Sequence, residues 1–267
     1  MANLTAWDRM AIVHGKGRPT VNDYIPAIFT RFMEFHGDRY YGDDAAIIGG
    51  IGYLSDTAVT VLAQVKGRDL DENKKTNFSM PHPEGYRKAL RLAKQAEKFH
   101  RPVICFVDTP GAYCGIEAEE RGQGEAIARN LYEFMTLNTP VISVILGEGG
   151  SGGALAMAVC DELAMLENSL YSVISPRGAA SILWKDGSKE KEACEILKIT
   201  ADDLTKFGVC DKIIKEPEGG AQNAPAQVAD SIYEYLVDAV SRLKKVDKNE
   251  LLERRYQKFR KIGMFTE

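Results

Sequence analysis

A chain of 267 residues, 45% hydrophobic and 27% charged, can bury a full core, and no long linker or low-complexity stretch interrupts it. Its formal net charge of −4 gives no support for a nucleic-acid surface, and no apolar run approaches the roughly 20 residues that a membrane-spanning helix needs. Residues 1–7 lack the basic-then-apolar pattern of a secretory signal, so a cytoplasmic protein is expected.

In chain order, residues 24–35 place Ile25, Ile28, Phe29, Phe32 and Met33 at helical spacing, which predicts an amphipathic helix ended by His36, Gly37 and Asp38. Residues 45–53 and 57–65 are rich in Ile and Val and flank Ser55 and Asp56. They predict an antiparallel hairpin. A basic loop follows from Lys66 through Arg68 to Asn77. A helix then opens at Pro81–Gly85, carries Tyr86, Ala89, Leu90, Ala93 and Ala96 on one face, and stops at Arg101 and Pro102.

Twice thereafter a strand runs through a glycine turn into a helix. Residues 103–107 lead into Asp108-Thr-Pro-Gly-Ala-Tyr-Cys-Gly115 and a helical stretch over 117–137. Residues 141–146 lead into Gly147-Glu-Gly-Gly-Ser-Gly-Gly153 and an apolar helix that Asp161 limits to little more than two turns. Such turns point bare N–H groups at whatever binds there, and an oxygen that gains negative charge is the natural occupant. A further strand is expected at 170–174, with helical segments at 182–184, 193–197 and 230–243. A charged helix over 249–261 is expected to lie on a surface. The repeated strand, turn and helix unit indicates an α/β protein in one domain over residues 1–267, with an N-terminal helical segment at 1–36, a core at 37–215 and a helical tail at 216–267.

Most familiar chemistries are absent. The five cysteines never form C-x-x-C, and Cys105 and Cys160 sit among apolar residues as small core side chains, while Cys114 lies in the first glycine turn. His14, His36, His82 and His100 show no metal-ligand spacing, and His82 between two prolines reads as a loop residue. Gly147, Gly149 and Gly152 satisfy a dinucleotide fingerprint formally, but deep in the chain and ahead of a short helix this is a weak signal. Ser151 reads as lacking both the G-x-S-x-G frame and an evident partner base. Glu119, Glu120, Glu125 and Glu148 crowd the two turns, where helix-start acids are common for electrostatic reasons. What survives is electrostatic catalysis by backbone amides.

Several ordered blocks make the pattern specific: Asp108-Thr-Pro-Gly-Ala-Tyr113, Ala118-Glu-Glu-Arg-Gly-Gln123, Glu125-Ala-Ile-Ala-Arg-Asn-Leu131, Gly147 through Ala156, and Tyr171-Ser-Val-Ile-Ser-Pro176 through Ala180-Ser-Ile-Leu-Trp-Lys185. Together with residues 77–92, Gly37-Asp-Arg39 and Arg254-Arg-Tyr-Gln257, they closely resemble the carboxyltransferase alpha subunit of bacterial acetyl-CoA carboxylase. The resemblance implies a crotonase-like spiral of ββα units with flanking helices. It implies transfer of a carboxyl group from carboxybiotin, borne by the biotin carboxyl carrier protein and charged by biotin carboxylase, to acetyl-CoA. The product is malonyl-CoA for fatty acid synthesis. This chain would bind no cofactor itself. Zinc would sit on a beta subunit, in an assembly of two alpha and two beta chains, with no nucleic-acid or membrane partner.

Carried onto this sequence, the resemblance implies that Gly152 and Gly153 stabilise the biotin ureido oxygen, while Gly149 and Gly150 shape their turn and Gly111 and Ala112 line the opposite wall. Lys66, Arg68 and Arg87 are candidates for CoA phosphates or partner carboxylates, with solvated charge as the alternative. Cys114 stands where the family usually has proline, Arg177 replaces a common glutamate, and the lead before Trp7 is shorter than in many relatives. Gly153→Val is expected to fold and assemble yet transfer poorly. Two competing readings are a self-sufficient acyl-CoA hydratase or isomerase and an assembly module without chemistry; a carboxylase subunit for another short acyl-CoA is a third.

Overall fold

The computed structural model describes residues 4–263. Eight strands form one mixed sheet: β1 (Thr30–Glu34), β2 (Ile47–Leu54), β3 (Thr57–Gln64), β4 (Val103–Thr109), β5 (Val141–Gly150), β6 (Glu162–Leu166), β7 (Leu170–Ser172) and β8 (Lys212–Ile214). The order is β1-β2-β3-β4-β5-β6-β8, with β7 branching from β5. Strands β1 to β3 pair antiparallel, and β3, β4, β5, β6 and β8 pair parallel. The β2–β3 hairpin turns at Ser55, whose φ is 50°, as its sequence predicts.

The parallel strands are covered on both faces, so they read as continuous apolar runs. Alternation divides their side chains between two cores. Ile104, Phe106, Ile142 and Val144 face one way, against the helices Val21–Ile28 and Pro225–Leu243. Val103, Cys105, Val107, Val141 and Ile145 face the other way, against the helices Pro83–Lys98 and Gln123–Met135. Cys105 and Cys160 are both fully buried in this second core, as small apolar residues.

Five expectations need correction. The helix expected over 24–35 ends at Ile28, and residues 30–34 form β1. Pro26 lies inside that helix, and Phe29 turns extended at φ −115° and ψ 139°. A side chain on Gly50 would lie 2.4 Å from the Met33 carbonyl oxygen, so the bare glycine is what lets β1 pair there. The stretch at 117–137 is two helices, Ile116–Glu120 and Gln123–Met135, broken where Gly122 takes φ 83°. The helix after the second glycine turn is only Ser151–Leu155. The segment from Lys66 to Asn77, expected as a basic loop, holds the helix Leu70–Lys75, capped by the Asp69 carboxylate. On the helix Pro83–Lys98 the deeply buried position is Leu92, while Leu90 is half-buried.

The C-terminal helix Lys248–Arg260 does more than lie on a surface, because Leu251 and Arg255 are buried. The Arg255 guanidinium donates to the Phe134, Leu137 and Thr139 carbonyls at 2.7–2.9 Å and to both oxygens of Asp161 at 2.8 and 2.7 Å. It ties the tail to the connection between the helix Gln123–Met135 and β5.

Candidate active site

Parallel pairing carries β4 and β5 side by side to their C-terminal ends, where Thr109 sits opposite Gly149. Both glycine turns therefore open at the same edge. The Thr109 hydroxyl accepts from the Gly111 amide at 3.1 Å and donates to the Ser79 carbonyl at 2.5 Å. Gln123, buried, donates to the Pro81 and Tyr113 carbonyls at 2.8 Å each. These bonds shape the first turn.

The second turn presses directly on the first. A side chain on Gly150 would fall 2.0 Å from the Pro110 oxygen, and one on Gly153 would fall 2.4 Å from the Ala112 nitrogen and 2.6 Å from the Gly111 carbonyl carbon. Only glycine permits that approach. Gly149 is likewise closed in by the Tyr171 ring at 2.8 Å. Gly152 is different: a Cβ there would meet only Ile127, at an ordinary 3.5 Å. Gly111 and Ala112 thus lie on one turn and Gly149, Gly150, Gly152 and Gly153 on the other, with Gly150 and Gly153 in contact with the first.

The first-turn amides of the helix Ser151–Leu155 have no side-chain cap. They are the orphan donors that every helix start leaves. Ala112 N–H also donates to no acceptor among the described residues. Beside them Ser151, Gly152, Leu155, Tyr171 and Val173 line a cleft of about 250 Å³ that is mainly apolar. Donors beside an apolar cleft act more strongly on a charged oxygen held there than they would in water.

Ser151 itself takes φ 54° between strand and helix. Gly149-Gly150-Ser151-Gly152-Gly153 does fit the G-x-S-x-G spacing of a nucleophile elbow, which the sequence reading missed. No base hydrogen-bonds to the Ser151 hydroxyl among the described residues. His82 starts the helix Pro83–Lys98, pairs with Asn77 at 2.8 Å and stacks on Tyr113 at 4.3 Å.

Of the acids near the turns, the buried one is tied up in ion pairs. Glu148 is held by Lys66 at 2.9 Å and by His14 at 2.9 Å, and its backbone N–H donates to Asp108 at 3.0 Å. Burial alone would raise its pKa; the His14 hydrogen bond and the Lys66 charge outweigh burial and hold it near about 2. Burial opposes the charged form of Lys66 too, and Asp108 and Glu148 reverse that, so its pKa rises. Glu125 pairs loosely with Arg129 at 3.6 Å, and Glu119 and Glu120 are exposed.

A carboxyl whose folded pKa lies below its unfolded value near 4.3 contributes stability above that value and loses it as pH falls through the folded one. Glu148→Gln is therefore expected to lose on the order of 2–3 kcal/mol relative to the wild type at pH 7. The gap should close between about pH 4.5 and 2. Thermal melts of both proteins at several pH values check this, and a gap that does not narrow in acid would refute it.

Of the three expected cation contacts only Lys66 reaches the turns, at Glu148 (2.9 Å) and Asp108 (3.8 Å). Arg87 is already engaged by Asp38 at 2.7 Å, by Glu84 at 3.2 Å and by the Arg121 carbonyl. Lys66 is engaged by Glu148. Arg68 pairs with Asp23 at 2.7 Å and is the most exposed of the three. Lys66 and Arg68 do line a separate cavity of about 400 Å³ with His14, Lys16 and Arg18. Cys114 is exposed. Among the described residues no cluster of His, Cys, Asp or Glu could hold a metal ion, and no helix is long and apolar enough to cross a membrane.

Comparison with known proteins places this geometry. Residues 1–263 match the family model described as acetyl co-enzyme A carboxylase carboxyltransferase-like. The acetyl-coenzyme A carboxylase carboxyl transferase subunit alpha of Clostridium acetobutylicum is 62% identical over 99% of this chain and 96% of its own. A Clostridium tetani protein named as subunits beta/alpha is 56% identical over 98% of this chain, which spans 46% of that protein. In solved structures, a chain of a Pseudomonas malonate decarboxylase hetero-tetramer superposes with TM-score 0.66 at 16% identity, covering 80% of this chain and 86% of that one. That likeness bears on fold alone, and it agrees with the crotonase-like α/β architecture. With paired glycine turns, free amides and full-length identity pointing the same way, the chain belongs to the acetyl-CoA carboxylase carboxyltransferase family, as a subunit alpha.

Proposed function

We propose that the chain is the alpha half of a biotin-dependent carboxyltransferase that, with a beta subunit, carries a carboxyl group from carboxybiotin to acetyl-CoA and yields malonyl-CoA. The observation that carries this reading is the contact between two glycine turns, which leaves uncapped amides beside an apolar cleft. Carboxybiotin, borne on a separate carrier protein charged by biotin carboxylase, would supply the carboxyl group. The cradle fits such a group: its donors are backbone N–H groups, and its walls admit no side chain at Gly150 or Gly153.

This chain's part is to hold negative charge on an oxygen. The Gly152 and Gly153 amides donate to the ureido oxygen, Gly149 and Gly150 shape that turn, and Gly111 with Ala112 forms the facing wall. Fixed amides need no reorganisation as charge develops, which is why one such donor is worth about 10²–10³ in rate. The thioester and the zinc belong to the beta subunit, and the fused beta/alpha relative supports such a partner. A self-sufficient hydratase lacks support, because the buried acid beside the turns, Glu148, is locked in ion pairs.

The test is malonyl-CoA-dependent carboxylation of free biotin, the reverse reaction. Turnover is expected only when the chain is mixed with its beta subunit. Robust transfer by the chain alone would refute the division of labour, and hydration of enoyl-CoA by the chain alone would favour the hydratase.

A further inference from the structure

We infer that Gln64 and Tyr86 are positioning residues for the Gly153 amide, an inference that rests on the carboxyltransferase reading for its kinetic consequence. Gln64 ends β3 after the buried apolar run Val61-Leu62-Ala63, and is itself fully buried. A buried amide side chain costs several hydrogen bonds' worth of hydration unless both its ends are satisfied. Here each end is satisfied by a different glycine turn. Its Oε1 accepts from the Asp108 amide at 3.2 Å, and its Nε2 donates to the Gly153 carbonyl at 2.8 Å. Because a backbone N–H can only donate and a carbonyl can only accept, the side-chain orientation is unambiguous.

Tyr86 adds a second donor. Its hydroxyl, buried on the helix Pro83–Lys98, reaches the same Gly153 carbonyl at 3.2 Å. In a longer helix that carbonyl would accept from the amide four residues on, yet Met157 N–H goes to Ala154 instead. Two side chains thus replace the helix's own bond. Gly153 is held on one side by its carbonyl and on the other by the backbone of Gly111 and Ala112, so neither its position nor its dihedrals can drift. That carbonyl shares its peptide plane with the Ala154 N–H, so the Gly153 N–H, in the preceding plane, is aimed through the Cα that the carbonyl bonds and the first turn restrain together. Gln64 also spans from the start of the first turn to the second, which fixes the distance between the two walls of the site.

The distinguishing consequence is a loss in kcat rather than in substrate binding, since a misaimed donor fails when charge develops. Gln64→Met keeps length and removes both polar ends; Tyr86→Phe removes one hydroxyl. In the alpha–beta assembly each variant is expected to lower kcat of the reverse reaction about ten-fold, with KM for malonyl-CoA within about two-fold of the wild type. Hydrogen exchange of amides 151–155 should quicken about ten-fold in Gln64→Met while the helix Lys248–Arg260 stays unchanged. Either variant with wild-type kcat in an active assembly, or unchanged exchange at 151–155, overturns the inference. If Gln64→Met fails to fold, Tyr86→Phe decides on both readouts. An inactive wild-type assembly would sink the proposed function, and the exchange measurement would still decide the positioning role.

Discussion

Arg255→Met is expected to destabilise the protein by about 3–5 kcal/mol, the range found when one partner of a buried ion pair is removed. The size follows from what the change leaves behind. Asp161, almost fully buried, would keep its charge without the guanidinium, and the Phe134, Leu137 and Thr139 carbonyls would each lose a donor. An unpaired buried polar group costs far more than the net value of the bond it made. Asp161→Leu combined with Arg255→Met should recover part of the loss, because the stranded charge goes too. Differential scanning calorimetry of the wild type and both variants measures this. A single-variant melting temperature within about 2 °C of wild type would show that the clamp contributes little.

Gly153→Val should lower transfer by about 10²–10³ and destabilise the chain by about 1–3 kcal/mol or more. The sequence alone led to the expectation that this variant folds and assembles normally. The structure corrects it, because the first carbon of any side chain would lie 2.4 Å from the Ala112 nitrogen and 2.9 Å from the Tyr86 hydroxyl. The first turn must move, so an inactive Gly153→Val alone would not separate a lost donor from a displaced wall. Gly152→Ala makes that separation. Its methyl group meets only Ile127, at 3.5 Å, so its melting temperature should match the wild type, and a fall in transfer would then report crowding at the second turn without displacement of the first. Wild-type transfer by Gly152→Ala would show that the substrate does not use the space beside the Gly152 Cα, since alanine keeps the backbone N–H. Normal transfer and stability in Gly153→Val would contradict the contact between the turns.

Local sequence determined much of this protein. Alternating or continuous Ile and Val runs specify β2, β3, β4 and β5, because a strand needs only its two faces covered and short-range pattern records that requirement. The strand, glycine turn and helix spacing marked both turns, and their order in the blocks around Gly111 and Gly153 pointed to the family. Where local rules competed, the sequence misled. Phe32 and Met33 keep helical spacing yet lie in β1, since a glycine in β2 opens a sheet edge that only the fold reveals. Gly122 broke a helix that its apolar periodicity had joined. Strands β6 and β8 are short and gain their pairing from partners far along the chain.

Tertiary structure alone decided which groups became neighbours. Lys66 and Arg87 read as candidates for CoA phosphates or partner carboxylates, with solvated charge as the alternative, and the fold pairs them with Glu148 and Asp38. Arg255 read as one charge among many on a surface helix, and the fold buried it over three carbonyls and a carboxylate. Gln64 carried the one faint local sign, a polar residue at the end of an apolar strand, but its two partners lie 44 and 89 residues away. Backbone amides leave no mark of their own in a sequence, since every residue but proline has one. Glycine spacing shows where they are bare, and only the packing of one turn against another shows where they aim.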